Sequence, residues 1–451
     1  MNQALQALTP LDGRYQRQTA DLQTYFSESA LITARIQVEV FFLQYLSQQK
    51  IIRSFTSTEK KNMQALREPS LAECQRVKEL EQETKHDVKA VEYFLREKVP
   101  ADVISYLHFG LTSEDVNNLA YRVMIKGALE NVLLPQLRKL LQNIVIKSET
   151  TKATVMLART HGQAAIPTTF GKELAVFADR VFRKYQQLKT FSFQGKLSGA
   201  VGSYHSFVAA DGLRDWPQFS EEFIRSLGLE PVTISTQINP EDDMVELFAL
   251  FQHLNSILIG LSQDMWRYIS DGWLLQQGKV NDVGSSTMPQ KINPIEFENS
   301  EGNLQVANAL FSEFMRSFPI SRLQRDLSGS TVKRSLGVAF GHSLLAYKNL
   351  TRAMAKLESN QAKMTAELES NWNILSEALQ TVARTKGDEQ AYEKVAKASK
   401  NKVWTKKEWQ EIAQEVAPEL RELTPATYLG LSVELTQQVL TTIKESDVFI
   451  S

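Results

Sequence analysis

The chain has 451 residues, 43% of them hydrophobic and 23% charged, at a formal net charge of −1. That length supports two or three domains and a large core, and the balanced charge gives no overall basic field for nucleic acid or anionic lipid, leaving room only for a local cationic pocket. Cys74 is the only cysteine, which excludes a disulfide framework or a cysteine metal cluster within one chain and fits a reducing compartment.

Residues 1–15 lack a basic region followed by an apolar core, so no signal peptide is read there. No apolar run approaches the length of a membrane span, and the expectation is a soluble cytoplasmic protein. Pro10-Leu11-Asp12-Gly13 has turn chemistry and delivers Arg14 and Tyr15 at its end. The planar fork of Arg14 suits phosphate or carboxylate, while a surface arginine packed by a tyrosine accounts for the same pair. Helical pattern runs from Ser29 to Ile52 and again from Thr58 to Phe94. Inside the second stretch, Lys85-His86-Asp87 places a group that titrates near neutrality beside a carboxylate, or a histidine at the edge of the core.

Pro100 marks a break, after which Thr112 and Ser113, followed by Glu114 and Asp115, signal a helix start. The helix is expected from about Asp115 to Lys147, with Leu133, Leu137, Leu140 and Ile144 as a bundle seam and a kink at Pro135. Its N-terminus either binds an anion or is simply capped. The apolar stretch Thr154–Ala158 leads into Arg159-Thr160-His161-Gly162-Gln163, a polar turn better suited to acid–base work than a core position. Helix is expected from Phe170 to Gln194, and Gly199–Ser203 reads as a glycine-punctuated loop without a nucleotide fingerprint. Thr236-Gln237-Ile238-Asn239-Pro240 precedes the longest apolar helix. There Leu247, Phe251, Leu254, Leu258, Leu261, Met265 and Tyr268 form one side and Phe248, Ile257 and Ile259 a second. A helix apolar on two sides is buried among several partners, in an oligomeric bundle or within one large subunit.

The stretch from Gly284 to Pro294 interrupts this helical pattern. Pro289 and Pro294 each lack an amide hydrogen and push the preceding residue toward extended geometry, which predicts a polar loop carrying Ser285, Ser286, Lys291 and Asn293. Polar loops between helices mount chemistry or merely connect. Phe297–Phe318 reads as helix, and the segment Arg322–Arg334 packs cations and hydroxyls around Gly329, as a phosphate site or a solvated turn. From about Ala355 the chain becomes more polar and reads as a solvated helical domain. No repeat is seen, nor any alternation that would build a large sheet.

Lys85-His86-Asp87, Thr112-Ser113-Glu114-Asp115, Thr160-His161-Gly162-Gln163 and the Gly284–Pro294 loop, in this order, resemble the fumarase/aspartase superfamily. Within it, His86–Phe94, Thr112–Asp115 and Ser330-Thr331-Val332-Lys333-Arg334 resemble the bacterial adenylosuccinate lyase family, over nearly the whole chain. The chain departs from that family at Gln290, where histidine is usual.

The resemblance implies an all-α, three-domain subunit: residues 1–111, a central long-helix bundle 112–354 bearing the loop, and a C-terminal helical domain 355–451. It also implies a homotetramer with a twenty-helix core and active sites shared between subunits. The implied reaction releases fumarate from adenylosuccinate, giving AMP, and from succinylaminoimidazole carboxamide ribotide, giving aminoimidazole carboxamide ribotide, without metal or other cofactor. By the same resemblance Ser285 is the base, with Ser286 as competitor, and His161 the acid. Arg14, Tyr15, Arg325, Ser330 and Arg334 are implied at the phosphate and ribose, and Thr331 and Ile292 as further substrate-binding residues. Thr112, Ser113, Ser286, Lys291 and Asn293 are implied at the succinyl group, and Lys85, His86, Asp87, Gln237 and Asn299 along the remaining surface. The alternatives are another fumarate-releasing lyase, such as one acting on argininosuccinate, aspartate or malate, and a relative that kept the fold and lost the reaction.

Overall fold

The structure, a computed structural model, describes residues 3–277, 287–288 and 290–449. The chain divides into two compact units. The first comprises Met1–Gln136, Tyr185–Asn255 and Asn303–Leu345, and the second comprises Leu137–Lys184, Ser256–Gly302 and Ala346–Ser451. Helices dominate the described residues, and the strands pair only two at a time.

In the first unit, α1 (Glu28–Gln48) begins at Ser27, whose hydroxyl accepts from the Ala30 amide. The expected continuous pattern from Thr58 to Phe94 is instead three helices: α2 (Ser57–Leu66), α3 (Leu71–Thr84) and α4 (Asp87–Arg96). Capping sets the breaks. Thr56 with Glu59 and Ser70 with Glu73 form reciprocal capping boxes, each satisfying two amides at a helix start. Lys85 turns left-handed at φ +53° and His86 caps α4.

Next, α5 (Ser113–Ala128) continues through a π-helical turn, Leu129–Leu133, into α6 (Leu134–Thr150). The Leu134 amide reaches back five residues to the Leu129 carbonyl. The wider turn falls just ahead of Pro135, whose ring cannot complete the ordinary ladder. The perturbation expected at the proline is therefore taken up in the turn before it.

An aromatic cluster centres the first unit. Phe248 lies 5.2 Å from Phe318 and 5.3 Å from Phe314, and Phe251 lies 5.1 Å from Phe340. Edge-to-face and offset pairs at such distances add to the area they bury. Phe248 and Phe251 come from the longest helix, Asp242–Ser270. Of the apolar positions expected on its two sides, Leu247, Phe248, Phe251, Leu254, Ile257, Leu258, Leu261 and Met265 are at most 1% exposed, while Ile259 and Tyr268 are half-buried. The sequence reading did underrate this helix. It contains an 18-residue window of mean hydropathy 1.5, long and apolar enough by composition to cross a membrane. Gln252, His253, Asn255 and Ser256 break the run to the eye without lowering the mean enough, and 50% of the window is buried inside the protein.

In the second unit, the apolar stretch before His161 is a strand. β1 (Val155–Thr160) pairs antiparallel with β2 (Gln163–Thr169), with a register shift between Leu157 and Arg159. Leu157 joins a core of Leu368, Trp372, Leu375, Leu379, Trp404, Trp409 and Ala413. Within the stretch from Ala355 read as a solvated helical domain, a helix over Ala391–Ser399 is followed by a turn and a non-helical link, and the next helix starts at Lys406.

Candidate active site

Most of the expected binding residues lie in the first unit, where five segments converge. The His86 Nδ1 accepts from the Lys89 amide at 3.2 Å, so a neutral ring carries its proton on Nε2, which lies 3.4 Å from the Ser113 hydroxyl. Asp87 accepts from Arg35 at 2.6 Å and from the Val88 amide at 2.9 Å. Burial would raise its carboxyl, but Arg35 and that amide outweigh burial and hold it below the usual carboxylate range. Arg334 sits between Asp87 at 3.5 Å and Glu28 at 3.4 Å, with its side chain 48% exposed. A guanidinium held this loosely, and this open, can turn to a ligand at little cost.

The turn expected at residues 10–15 forms: the Tyr15 amide reaches the Pro10 carbonyl at 2.9 Å, and Arg14 lies over the Tyr15 ring at 5.7 Å. Asp12 of this turn and Arg334 line one cavity of ≈ 550 Å³, together with Thr19, Gln23 and Ser27. Arg14 is exposed and Tyr15 half-buried.

Thr112 precedes α5, and its amide donates to the Asp115 carboxylate at 2.8 Å. Asp115 also accepts from the Ser198 and Gly199 amides at 3.0 and 3.1 Å, and it pairs with Lys196 at 2.8 Å, both side chains being 0% exposed. Lys196 in turn donates to the Gln237 carbonyl at 2.7 Å. Gln237 spends its side chain on the Ala200 carbonyl at 2.7 Å and on Arg325 at 3.2 Å. The Gly199–Ser203 loop is thereby tied to both the Thr112 and Gln237 segments. Gly202, at φ +74°, is required there, since a Cβ would lie 2.0 Å from the Ser235 carbonyl oxygen.

Ser330 and Thr331 lie in the short helix Ser328–Lys333. The loop before it is held by Asp326, which accepts from the Ser328 hydroxyl, the Arg322 amide and the Ser328 amide, and whose carboxyl falls to about 2 for that reason. The sequence reading missed the ionic cluster beneath. Lys333, buried, pairs with Glu241 at 2.6 Å and Glu114 at 3.2 Å. Arg122 pairs with Glu241 at 2.8 Å and Asp243 at 2.7 Å. Arg325 reaches Glu114 at 3.4 Å. Burial opposes these charges, yet the partners prevail and hold Lys333 above and Glu241 below their ordinary values. The signal in the sequence was the acidic run Glu241-Asp242-Asp243 ahead of an apolar helix, with Lys333 inside a segment already rich in cations.

The second unit holds His161. Thr160 pairs with Gln163, so His161 and Gly162 form a two-residue hairpin turn, and both have positive φ, +52° and +75°. This is the turn whose twist matches paired strands, and glycine relieves its second position. The exposed imidazole is thus presented at a hairpin tip. Arg159 braces the tip by donating to the Gly162 carbonyl at 3.2 Å, pairing with Glu367, and lying 5.3 Å over the Trp273 ring.

Ser285 and Ser286 lie outside the described residues. The described part of their loop, Thr287, Met288 and Gln290–Pro294, is not helical, and helix resumes at Ile295. There Gln290, Lys291 and Ile292 are exposed and Asn293 half-buried. Asn299, on the helix Ile295–Ser317, accepts from the Asn349 amide group. Among the described residues, no group of three or more His, Cys, Asp or Glu is placed to hold a metal ion.

Comparison with known proteins narrows the reading. Residues 13–308 match the family model described as "Lyase", and residues 321–429 the one described as "Adenylosuccinate lyase C-terminal". The chain is 42% identical to adenylosuccinate lyase of Haemophilus influenzae, over 96% of this chain and 99% of that one. It is 40% identical to adenylosuccinate lyase of Escherichia coli K12, over 97% and 99%. The fold is shared with a fumarate lyase from Mesorhizobium (TM-score 0.76, 20% identity, covering 94% of this chain and 97% of that one). It is also shared with the 3-carboxy-cis,cis-muconate lactonizing enzyme of Pseudomonas putida (TM-score 0.76, 18% identity, covering 94% and 96%). The motifs, the mostly helical fold and these full-length identities agree, and the chain belongs to the adenylosuccinate lyase family.

Proposed function

We propose that the protein is a carbon–nitrogen lyase that releases fumarate from adenylosuccinate, leaving AMP, and from succinylaminoimidazole carboxamide ribotide, leaving aminoimidazole carboxamide ribotide. The observation that carries this is the identity of 40% or more, over nearly full length, to two proteins bearing the name adenylosuccinate lyase. The loosely paired Arg334 and Arg325 support a phosphorylated substrate, because both present guanidinium groups with unspent donors at the converging segments.

The reaction removes a proton from the carbon next to a carboxylate. The electron pair forms the double bond of fumarate, the carbon–nitrogen bond breaks, and the departing nitrogen takes a proton. Ser285 is proposed as the base. A serine hydroxyl needs an environment favouring the alkoxide, which Lys291 and loop amides supply once water is excluded. The carbanion spreads charge into the carboxylate, where Lys291 and Asn293 are proposed to stabilise it. His161, at its hairpin tip, is proposed as the acid for nitrogen, since an amide-like anion leaves poorly. His86 and Ser113 orient the substrate, and Arg14, Tyr15, Arg325, Ser330, Thr331 and Arg334 bind phosphate and ribose. This chemistry calls for no metal.

The protein is further proposed to work in the cytoplasm as a homotetramer, with active sites built from several subunits and the three-part division 1–111, 112–354 and 355–451. The test is chromatography of purified protein incubated with adenylosuccinate. Equal amounts of fumarate and AMP are expected, and unchanged substrate would overturn the reading.

A further inference from the structure

Arg325 has two claims on it. A ligand phosphate requires a free guanidinium, yet Glu114 lies 3.4 Å away with its side chain only 4% exposed. A buried carboxylate with no other cation would hold that arginine firmly, because the attraction is little screened there. Glu114 does have another cation. Lys333 Nζ sits 3.2 Å from its Oε1, on the oxygen that Arg325 does not face. Lys333 is itself fixed from the other side by Glu241 at 2.6 Å, and Glu241 by Arg122 at 2.8 Å. The chain of charges ends at Asp243, 2.7 Å from Arg122.

Resting on the functional reading above, we infer that Lys333 is a positioning residue. It neutralises Glu114 and so leaves Arg325 available to the phosphate of the substrate, without touching the ligand itself. The geometry separates the two cations by role. Lys333 is buried beneath the Ser330–Arg334 segment with two carboxylates, whereas the Arg325 side chain is 20% exposed and shares its donors between Gln237 and Glu114. Loss of the Lys333 charge leaves Glu114 with Arg325 alone, and ligand must then compete with a buried carboxylate for the same guanidinium.

The experiment is a cycle of Lys333→Met, Glu114→Gln and the double variant, read by calorimetric titration with AMP and by steady-state kinetics with adenylosuccinate. Lys333→Met is expected to weaken AMP and raise KM by about tenfold while kcat changes by less than about threefold, the pattern of a lost binding contact. Inhibition by fumarate, which carries no phosphate, stays as in the parent. Glu114→Gln alone is expected to bind AMP as well as the parent or more tightly, since it releases Arg325. The double variant is expected to return to within about threefold of the parent, because the neutral amide no longer needs a cation. A merely structural Lys333 would give additive losses and weaker AMP binding in Glu114→Gln, and either result overturns the inference. Glu114→Gln keeps Lys333 paired with Glu241, so it reports even if Lys333→Met fails to fold. A parent that neither binds AMP nor releases fumarate would instead refute the functional reading. A competent parent with unchanged AMP affinity in Lys333→Met refutes this inference alone.

Discussion

Replacing Asp115 by asparagine tests how the Thr112–Ser113 segment is held. The Asp115 carboxylate receives the Thr112, Ser198 and Gly199 amides at 2.8–3.1 Å and the Lys196 ammonium at 2.8 Å, with both charged side chains 0% exposed. Asparagine offers one acceptor oxygen, turns a donor toward other donors, and leaves Lys196 without an anion. Lys196 keeps only the Gly199 and Gln237 carbonyls, at 3.1 and 2.7 Å. Breaking a buried pair on one side costs about 3–5 kcal/mol. In units of roughly 150–250 residues each kcal/mol moves the midpoint by about 2–4 °C, so melting should fall by about 6–20 °C. A useful control is Glu130→Gln, which breaks the Lys126–Glu130 pair. That pair is closer, at 2.6 Å, but its side chains are 32% and 52% exposed. Water screens it, and a shift under about 2 °C is expected. The assay is differential scanning fluorimetry at fixed protein concentration. An Asp115→Asn midpoint within about 2 °C of the parent, or an equal shift in Glu130→Gln, would refute the argument that burial rather than distance sets the strength of these pairs.

His161→Ala and Ser285→Ala are each expected to abolish fumarate release while circular dichroism stays as in the parent. A dead Ser286→Ala beside an active Ser285→Ala would reverse the assignment of the base. Gly202→Ala places a methyl 2.0 Å from the Ser235 carbonyl oxygen at φ +74°, so a loss of at least about 3 kcal/mol, and weaker AMP binding through the displaced Gln237 segment, is expected in urea unfolding and titration. His108 adds a pH dependence. Burial pulls its imidazole down, but the Glu39 carboxylate at 2.6 Å raises it above its ordinary value overall. The pair's stabilisation is then fully present below the unfolded value of about 6.5 and is lost as pH rises through the higher folded value. Melting of the parent should fall over that window relative to His108→Gln, and parallel curves would sink the assignment.

Much of this was legible because local chemistry fixed it. Helix periodicity located the long helices, and the two-sided apolar pattern of residues 242–270 matches a helix buried on several faces. The positive-φ turn at His161–Gly162 was visible as a polar, glycine-containing stretch, but the strands flanking it were not, because six or seven residues with weak alternation do not distinguish strand from connection. The division of the 58–94 pattern into three helices turned on the capping box at Ser70 and on the left-handed Lys85 with its His86 cap, single-residue signals that periodicity averages away. The ionic cluster of Lys333, Glu114, Glu241 and Arg122 joins residues that lie far apart in the sequence, and only tertiary packing brings them together. The candidate site residues rest on motif resemblance rather than on spacing, since residues drawn from several separate segments leave no periodic trace.

The most direct test of the central claim is a side-by-side measurement of kcat/KM for fumarate release from adenylosuccinate, argininosuccinate, aspartate and malate, using one preparation of the purified protein. Adenylosuccinate should exceed each of the others by at least about a thousandfold, because of the four only it carries a phosphate for the arginines proposed to bind one. Release of fumarate from argininosuccinate, aspartate or malate at a comparable or greater rate would contradict the account.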